Sequence, residues 1–295
     1  MKRIIQPELL DSLLADNPRA VRSRRDLRRI NAVMRNAEIL VAALVKARKT
    51  PAFSQTRLQI TELGAGDGKF LLSVAQKFKV GHASSLSNSI GVKATLLDRQ
   101  KIVSAETLAA FAQCGWCADA VVADVFNWPA HPAIDPDFPL ASPKGGEGQG
   151  EEAPMLPVQI PSPQPSPRSG GERESGTVSG CALNWPQMED EVVITNLFLH
   201  HFADARLVEL LRLISQRASL FIALEPRRAR WPLFCSRQLW AIGCNDVTRH
   251  DAVVSVRAGF NGEEISALWP DRSNWQLTES HAGLFSHLFI ARKIK

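Results

Sequence analysis

Cysteine is scarce, with five in 295 residues, too few for a disulfide scaffold. No run of 18 or more apolar residues occurs, so no membrane-spanning helix is expected. A secretory signal is also missing. The chain starts basic, but Gln6, Pro7, Glu8 and Asp11 interrupt the apolar stretch such a signal needs. A cytoplasmic protein is the expectation. What remains is ordinary: 45% hydrophobic and 22% charged residues fit a soluble globular chain and exclude a wholly disordered or fibrous one.

Composition is uneven along the chain. Within 141–180, 21 of 40 residues are Pro, Gly or Ser. Ser142-Pro143-Lys144-Gly145-Gly146-Glu147 is echoed by Ser166-Pro167-Arg168-Ser169-Gly170-Gly171-Glu172, a crude internal repeat. Segment 139–180 therefore reads as a solvated, disordered insertion. The functional alternative is a proline-rich ligand through Pro161, Pro163, Pro165 and Pro167. The expected organisation is an N-terminal helical arm over 1–54, a main domain over 55–138 and 181–295, and the insertion between its halves.

Charge is uneven too. The net +5 divides into +7 over residues 1–50 and −2 over the rest. The excess lies in Arg19, Arg22, Arg24, Arg25, Arg28 and Arg29. These make either a patch for an anionic partner or the solvated face of a helix. Helical spacing of Val21, Leu27, Ile30, Val33 and Met34 favours the solvated face, with Asn17-Pro18 as N-cap and first turn.

Residues 18–48 read as one long or two shorter helices. Strands are predicted at 57–63, 92–98, 119–124 and 219–226, and 191–202 reads as a fourth strand followed by a turn. Helices are predicted at 69–78, 103–114 and 205–218. Three further helical stretches, 230–242, 246–258 and 262–268, precede a hairpin through His281-Ala282-Gly283. Strands alternating with helices imply parallel pairing by right-handed crossovers, and a closing hairpin adds one antiparallel strand. The expected fold is α/β, a doubly wound and mostly parallel sheet with N-terminal helices added.

The sharpest local pattern is Glu62-Leu63-Gly64-Ala65-Gly66-Asp67-Gly68, between a strand and a helix. Open α/β sheets bind ligands at that edge, near the topological switch point. Glycine permits close backbone approach there, and the helix N-terminus favours an anionic group. A dinucleotide turn would need its third glycine at position 69, which is Lys69. The pattern E-x-G-x-G-x-G instead resembles motif I of the class I S-adenosylmethionine-dependent methyltransferases.

The resemblance extends along 55–130 and 185–295. It implies a seven-stranded sheet with an antiparallel last strand and S-adenosylmethionine as cofactor. It implies that Glu62, Gly64, Ala65, Gly66 and Gly68 form the cofactor turn. It places Asp98 on the ribose hydroxyls, Asp124 near the adenine amino group, and the Val125 backbone on the ring. Asn196 falls in the fourth-strand motif Thr195–Phe202, which faces the reactive methyl. The stretches DLRRIN (26–31) and HDAVVSVRAGF (250–260) resemble bacterial methyltransferases of aromatic or polyketide-type small molecules.

A methyl acceptor bearing a hydroxyl benefits from a base of near-neutral pKa. His200 and His201 are the candidates, following the fourth strand; the plainer reading is that both orient the next helix. Arg249, His250 and Arg257 are candidates for a substrate lid. Trp231, Phe234, Trp240, Phe260 and Trp269 are candidates for an aromatic pocket or for the core. Cys114 and Cys117 form a lone CxxC with too few companion ligands for a zinc site, so no metal is expected. The expected partner is a small-molecule substrate. The alternatives are a nucleic-acid methyltransferase using the arginine-rich helix, a nicotinamide-dependent oxidoreductase, and an inactive cofactor-binding module. The fourth-strand motif carries no Pro-Pro-aromatic run of the kind base-methylating enzymes have, which disfavours the first.

Overall fold

The computed structural model describes residues 1–48, 57–81, 91–128, 178–179 and 191–294. The chain begins with a short turn of helix, α1 (Leu9–Ser12), followed by α2 (Pro18–Met34) and α3 (Asn36–Arg48). Asn17 caps α2 by accepting from the Arg19 amide at 2.9 Å, with Pro18 in the first turn. The expected 18–48 helix is therefore two helices. Arg35, in the left-handed region at φ 58°, separates them.

The alternating part then follows: β1 (Arg57–Leu63), α4 (Lys69–Gly81), β2 (Gly91–Asp98), α5 (Ala105–Gln113) and β3 (Trp116–Val122). After β4 (Val178–Ser179) come β5 (Glu191–Asn196), α6 (Asp204–Arg217) and β6 (Ala218–Pro226). Helices α7 (Arg230–Arg237), α8 (Asp246–Ala258) and α9 (Glu264–Leu268) precede the hairpin β7 (Trp275–Ala282) and β8 (Ser286–Lys293).

The sheet order is β4-β3-β2-β1-β5-β6-β8-β7. Strands β3, β2, β1, β5 and β6 run parallel, and β8 is antiparallel to both β6 and β7. This is the mostly parallel sheet with an antiparallel last strand that the alternation predicts. Two-residue β4 adds an eighth strand, antiparallel to β3. It lies inside the range read as insertion, whose other residues fall outside the described ones. By contact density Met1–Trp128 and Gly176–Lys295 form one unit, so the N-terminal helices belong with the sheet. Among the described residues no helix is long and apolar enough to cross a membrane.

Strand β6 explains the two-sided winding. All nine of its residues are buried, as a strand covered on both faces requires. Leu220, Ile222 and Leu224 join one core with Leu40, Leu44, Leu71 and Phe111. Phe221 and Ala223 join the other with Leu207, Leu210, Leu211 and Phe289. Side chains alternate across a strand, so one segment feeds both layers.

One expected boundary needs correction. Strand β3 starts at Trp116 and ends at Val122, earlier than the expected 119–124. Gly115, at φ 80°, reverses the chain directly after α5 and lets the strand begin at once. Cys114 and Cys117 consequently sit at a helix end and in a strand, with no disulfide between them.

Candidate functional site

The order of the sheet reverses at β1, which pairs with β2 on one side and β5 on the other. A cavity of about 580 Å³ opens at the carboxyl ends of these strands. One wall is the glycine turn. Gly64 has φ 70°, and a Cβ there would lie 2.3 Å from Cδ2 of Phe198, so the position is closed to any larger residue. Gly66 has φ 56° and nothing within 4 Å of where a Cβ would be; it faces open space. Ala65 and Gly68 complete the turn: the Ala65 amide donates to the Leu97 carbonyl at 3.0 Å, and the Gly68 amide donates to the Ala65 carbonyl at 2.9 Å.

Asp98 ends β2 and reaches the same turn. Its Oδ2 accepts from the Gly66 amide at 2.8 Å and its Oδ1 from the Gln100 amide at 2.9 Å. Beneath the turn, Glu62 is 2% exposed and its Oε2 has no hydrogen-bond partner. Burial, with Asp67 and Asp98 nearby, holds its carboxyl well above the usual carboxylate range. A buried carboxyl with an idle oxygen at a cavity wall is a place for a cationic or donor group of a ligand.

Asp124 lies past the end of β3. It caps a short 3-10 turn, Val125–Asn127, with Oδ1 accepting from the Phe126 amide at 2.9 Å. Val125 is buried in the turn. Both residues line the cavity, beside an aromatic wall in which Phe202 meets Phe126 and Phe198 edge-on at 5.6 and 5.1 Å. Asn196 also lines the cavity, but its amide is already engaged. Nδ2 donates to Asn31 at 3.1 Å, and Oδ1 accepts from Asn36 at 3.0 Å. That trio ties α2 and α3 to the tip of β5.

The opposite wall is built around His200. Its ring is 2% exposed, and both nitrogens are held. Nδ1 lies 2.8 Å from Glu225 and Nε2 3.2 Å from Glu8. Glu225 is fully buried and also accepts from the amides of Phe198 at 3.0 Å, Leu199 at 2.8 Å and His200 at 3.3 Å. Burial alone would lower the His200 pKa, but hydrogen bonds and charges from Glu225 and Glu8 raise it to about 9. His200 is thus an imidazolium at neutral pH, and an open base only once it loses a proton. His201 is less buried. Its Nδ1 meets Asp11 at 3.3 Å, and its ring lies 4.3 Å from that of His200. Glu8, His200 and His201 are close enough to suggest a metal cluster. Glu225 and Glu8 each hold one His200 nitrogen, so the groups as they stand form a hydrogen-bonded chain of carboxylates and imidazoles.

A second cavity of about 180 Å³ adjoins the first. Leu27, Ile30, Val33, Met34, Leu239 and Ile242 make it apolar. The two cavities share Glu8, Leu10, Leu27, Leu197 and Ser255 as wall. Leu197 there takes a left-handed conformation, φ 55°, uncommon for a side-chain-bearing residue and held by its amide on the Leu224 carbonyl at 2.8 Å.

The candidate aromatic pocket is not assembled. Phe260 and Trp269 are core residues, whereas Trp231, Phe234 and Trp240 are more than half exposed. Arg249, His250 and Arg257 line neither cavity. Five arginines of α2, Arg19, Arg22, Arg24, Arg28 and Arg29, are engaged within the chain. Arg28 pairs with Asp67 at 2.6 Å, Arg19 pairs with Asp246, and Arg22 and Arg29 reach the carbonyls of Gly243 and Ile242.

Glu8, Glu225 and Ser255 carry no motif. Glu225 alone had a readable signal: it is a third acid at the carboxyl end of a strand, like Asp98 and Asp124.

No protein-family model matches this sequence, and no curated protein matches it. Among solved structures, the chain is similar to an O-methyltransferase family protein from Burkholderia thailandensis, at 12% identity and TM-score 0.47 over 95% of this chain and 62% of that one. It is similar to a mitomycin 7-O-methyltransferase at 16% identity and TM-score 0.47, over 96% and 60%. It is also similar to human N-acetylserotonin methyltransferase, at 12% identity and TM-score 0.45, over 97% and 61%. The chain thus spans about three fifths of the length of these proteins. At such identity and score, likeness transfers no residue and no activity to this chain.

Proposed function

We propose that this chain is an S-adenosylmethionine-dependent methyltransferase acting on a small, largely apolar acceptor, methylated at an aromatic or polyketide-like hydroxyl. The observation that carries the reading is the pair of joined cavities. One has a glycine turn, an idle buried carboxyl and two strand-end acids; the other is apolar, and a short shared wall divides them. A charged, nucleoside-bearing donor and an apolar acceptor each find matching surroundings, with their reacting ends at the shared wall.

The residues fit the donor group by group. Glu62, buried with Oε2 unpaired, offers an acceptor to an ammonium, and such a charge would counter the burial that raises its pKa. Gly66 leaves space for close approach of the ligand to the backbone. Asp98 retains lone pairs on both oxygens for ribose hydroxyls, and its bond to the Gly66 amide holds turn and acid in register. Asp124 and the Val125 backbone edge the place of the adenine, beside the aromatic wall. Asn196 acts one step back, holding α2 against β5 through Asn31 and Asn36.

The donor's sulfonium supplies the electrophilic methyl, so the protein's task is to align the acceptor, exclude water and receive a proton. Leu27, Leu197 and the apolar chamber hold the acceptor and keep water out. The proton has two places to go: His201 borders the larger cavity, and His200, at the shared wall through Glu8, can take it at Nε2 once the proton it carries has left to solvent.

Calorimetric titration with S-adenosylmethionine tests the site. Gly66→Val and Asp98→Ala each weaken binding at least tenfold, because one fills the ligand's space and the other removes a hydroxyl acceptor. Unchanged affinity in both variants overturns the assignment, and preferential binding of NAD turns it towards an oxidoreductase. Isotopically labelled cofactor incubated with a metabolite panel identifies the acceptor by mass.

A further inference from the structure

We infer that Glu8, brought in by the N-terminal segment, is a positioning residue for His200, so that the site is complete only when that segment is seated. This inference rests on the methyltransferase reading, in which the acceptor loses a proton in the histidine pair.

The geometry is a chain of three groups. Glu225 on β6 holds Nδ1 of His200 from inside the sheet at 2.8 Å. Glu8 holds Nε2 from the outside at 3.2 Å, across 192 residues of sequence. Ser255 on α8 donates its hydroxyl to the same Glu8 oxygen and fixes the carboxylate. Glu8 and Ser255 both border both cavities. The atom that would receive an acceptor's proton is therefore covered by a carboxylate standing between the two ligand chambers.

The segment carrying Glu8 is docked by specific bonds. Asp251 on α8 accepts from the amides of Leu9 at 2.8 Å and Leu10 at 3.0 Å. Arg3 donates to the Ala258 carbonyl at 2.8 Å and to the Phe202 carbonyl at 3.0 Å, and pairs with Asp204 at 2.6 Å. Its guanidinium lies 4.4 Å from the ring centre of Phe260. These anchors leave Glu8 little freedom to point elsewhere.

The groups facing the His200 ring come from every element around it: Glu225 from β6, Glu8 and Asp11 from the N-terminal segment, and neighbouring His201. Ser255 and Asp251 lie behind Glu8 on α8, and the charge of Arg3 opposes that of Glu225. Among the described residues, Glu225 and Glu8 are the carboxylates that touch His200 itself. Glu225 orients the ring and keeps its tautomer. Glu8 keeps a proton on Nε2 while it is seated. His200 can accept an acceptor's proton there only after giving up its own, so Glu8 sets the pH at which the ring turns from donor to base.

The test uses the full chain. Side-chain NMR follows the titration of His200, assigned by its loss in His200→Gln, in wild type and in Glu8→Gln. The expected result is a fall in the His200 midpoint of about one unit or more, the size typical of a lost opposite charge at this distance. Glu8→Asp restores part of it. The rising limb of the pH profile for labelled-methyl transfer moves towards acid by the same amount. Cofactor affinity stays within twofold, separating this effect from damage to the glycine-turn wall. Should Glu8→Gln fold poorly, Ser255→Ala frees the Glu8 carboxylate without changing any charge and shifts the midpoint in the same direction. A folded Glu8→Gln protein whose His200 titrates as in wild type overturns the inference, whatever its turnover. A shifted titration without methyl transfer to any acceptor leaves the Glu8–His200 coupling standing and overturns the proposed function.

Discussion

The two walls of the larger cavity are made in different ways. The glycine-turn wall is local: Glu62 to Gly68, with Asp98 meeting Gly66 across 32 residues. The histidine wall is assembled from afar: Glu8 meets His200 across 192 residues, and the Leu9 amide meets Asp251 across 242. A wall of the first kind holds its shape through backbone geometry and the strand beneath it. A wall of the second kind holds only while distant segments stay docked, and its chemistry depends on charge balance among buried groups. Substitutions should therefore damage the first through sterics and the second through unpaired charge.

The largest effect falls on the second wall. Glu225→Ala strips four hydrogen bonds at once, three of them to backbone amides, and leaves His200 against Glu8 alone. Breaking a buried charge cluster at one member costs about 3–5 kcal/mol. A chemical denaturation curve should show a loss of that size. Retention of wild-type stability would mean the wall is not the charge-linked unit described.

The first wall gives the next largest effect, and it discriminates two glycines. Gly64→Ala adds a left-handed penalty of about 1–2 kcal/mol and pushes a methyl to 2.3 Å from the Phe198 ring. Forcing that ring aside adds about 1–3 kcal/mol. Gly66→Ala incurs only the backbone term, because its Cβ meets nothing. Thermal melts should rank Gly64→Ala well below Gly66→Ala, while both weaken the ligand. Equal melting temperatures would deny the close approach of Phe198 to the turn.

Why one wall was legible in the sequence and the other was not follows from the same contrast. Glycine spacing, the preceding acid and the strand-end acids are periodic, neighbouring features, and the alternation of strands and helices placed them on one edge. The fold was readable for that reason, down to the antiparallel β8 and the Asn17 cap. Glu8 was not readable. It follows Pro7 in a segment with a single turn of helix, and only docking on α8 gives it meaning. His200 was readable as a residue but not in its state, because that state comes from two carboxylates that converge only in the folded chain. Trp269 and Phe260 show the converse. Aromatic type left a pocket and the core both open, and packing puts the two residues in the core.

The charge of the second wall also gives it a pH signature. Folding raises the His200 pKa from 6.5 to about 9, despite burial, through Glu225 and Glu8. Its contribution is full below 6.5 and lost as pH rises through 9. Glu8 is shifted down from 4.5: burial opposes the shift, and the hydrogen bond and charge of His200 outweigh it. Its contribution is present above 4.5 and lost as pH falls through the lowered value. Stability should therefore plateau between about 4.5 and 6.5 and decline towards pH 9, by on the order of 2–3 kcal/mol for His200. In His200→Gln the alkaline decline should flatten. A wild-type curve that is already flat from pH 6 to 9 would remove the charge link between the two carboxylates and the ring.

The smallest effect is expected where neither wall is touched. Residues 141–177 are rich in Pro, Gly and Ser and interrupt the chain between β3 and β4. Replacing them by a short Gly/Ser linker, while keeping Val178–Ser179 paired to β3, shortens that connection. Loop closure costs about 0.6 kcal/mol for each doubling in length, so shortening should stabilise slightly, by roughly 1 kcal/mol. Cofactor affinity and the His200 titration should be unchanged. If the excision instead lowers the melting temperature or alters either readout, the insertion supports one of the walls, and the division into a local and an assembled wall would have to include it.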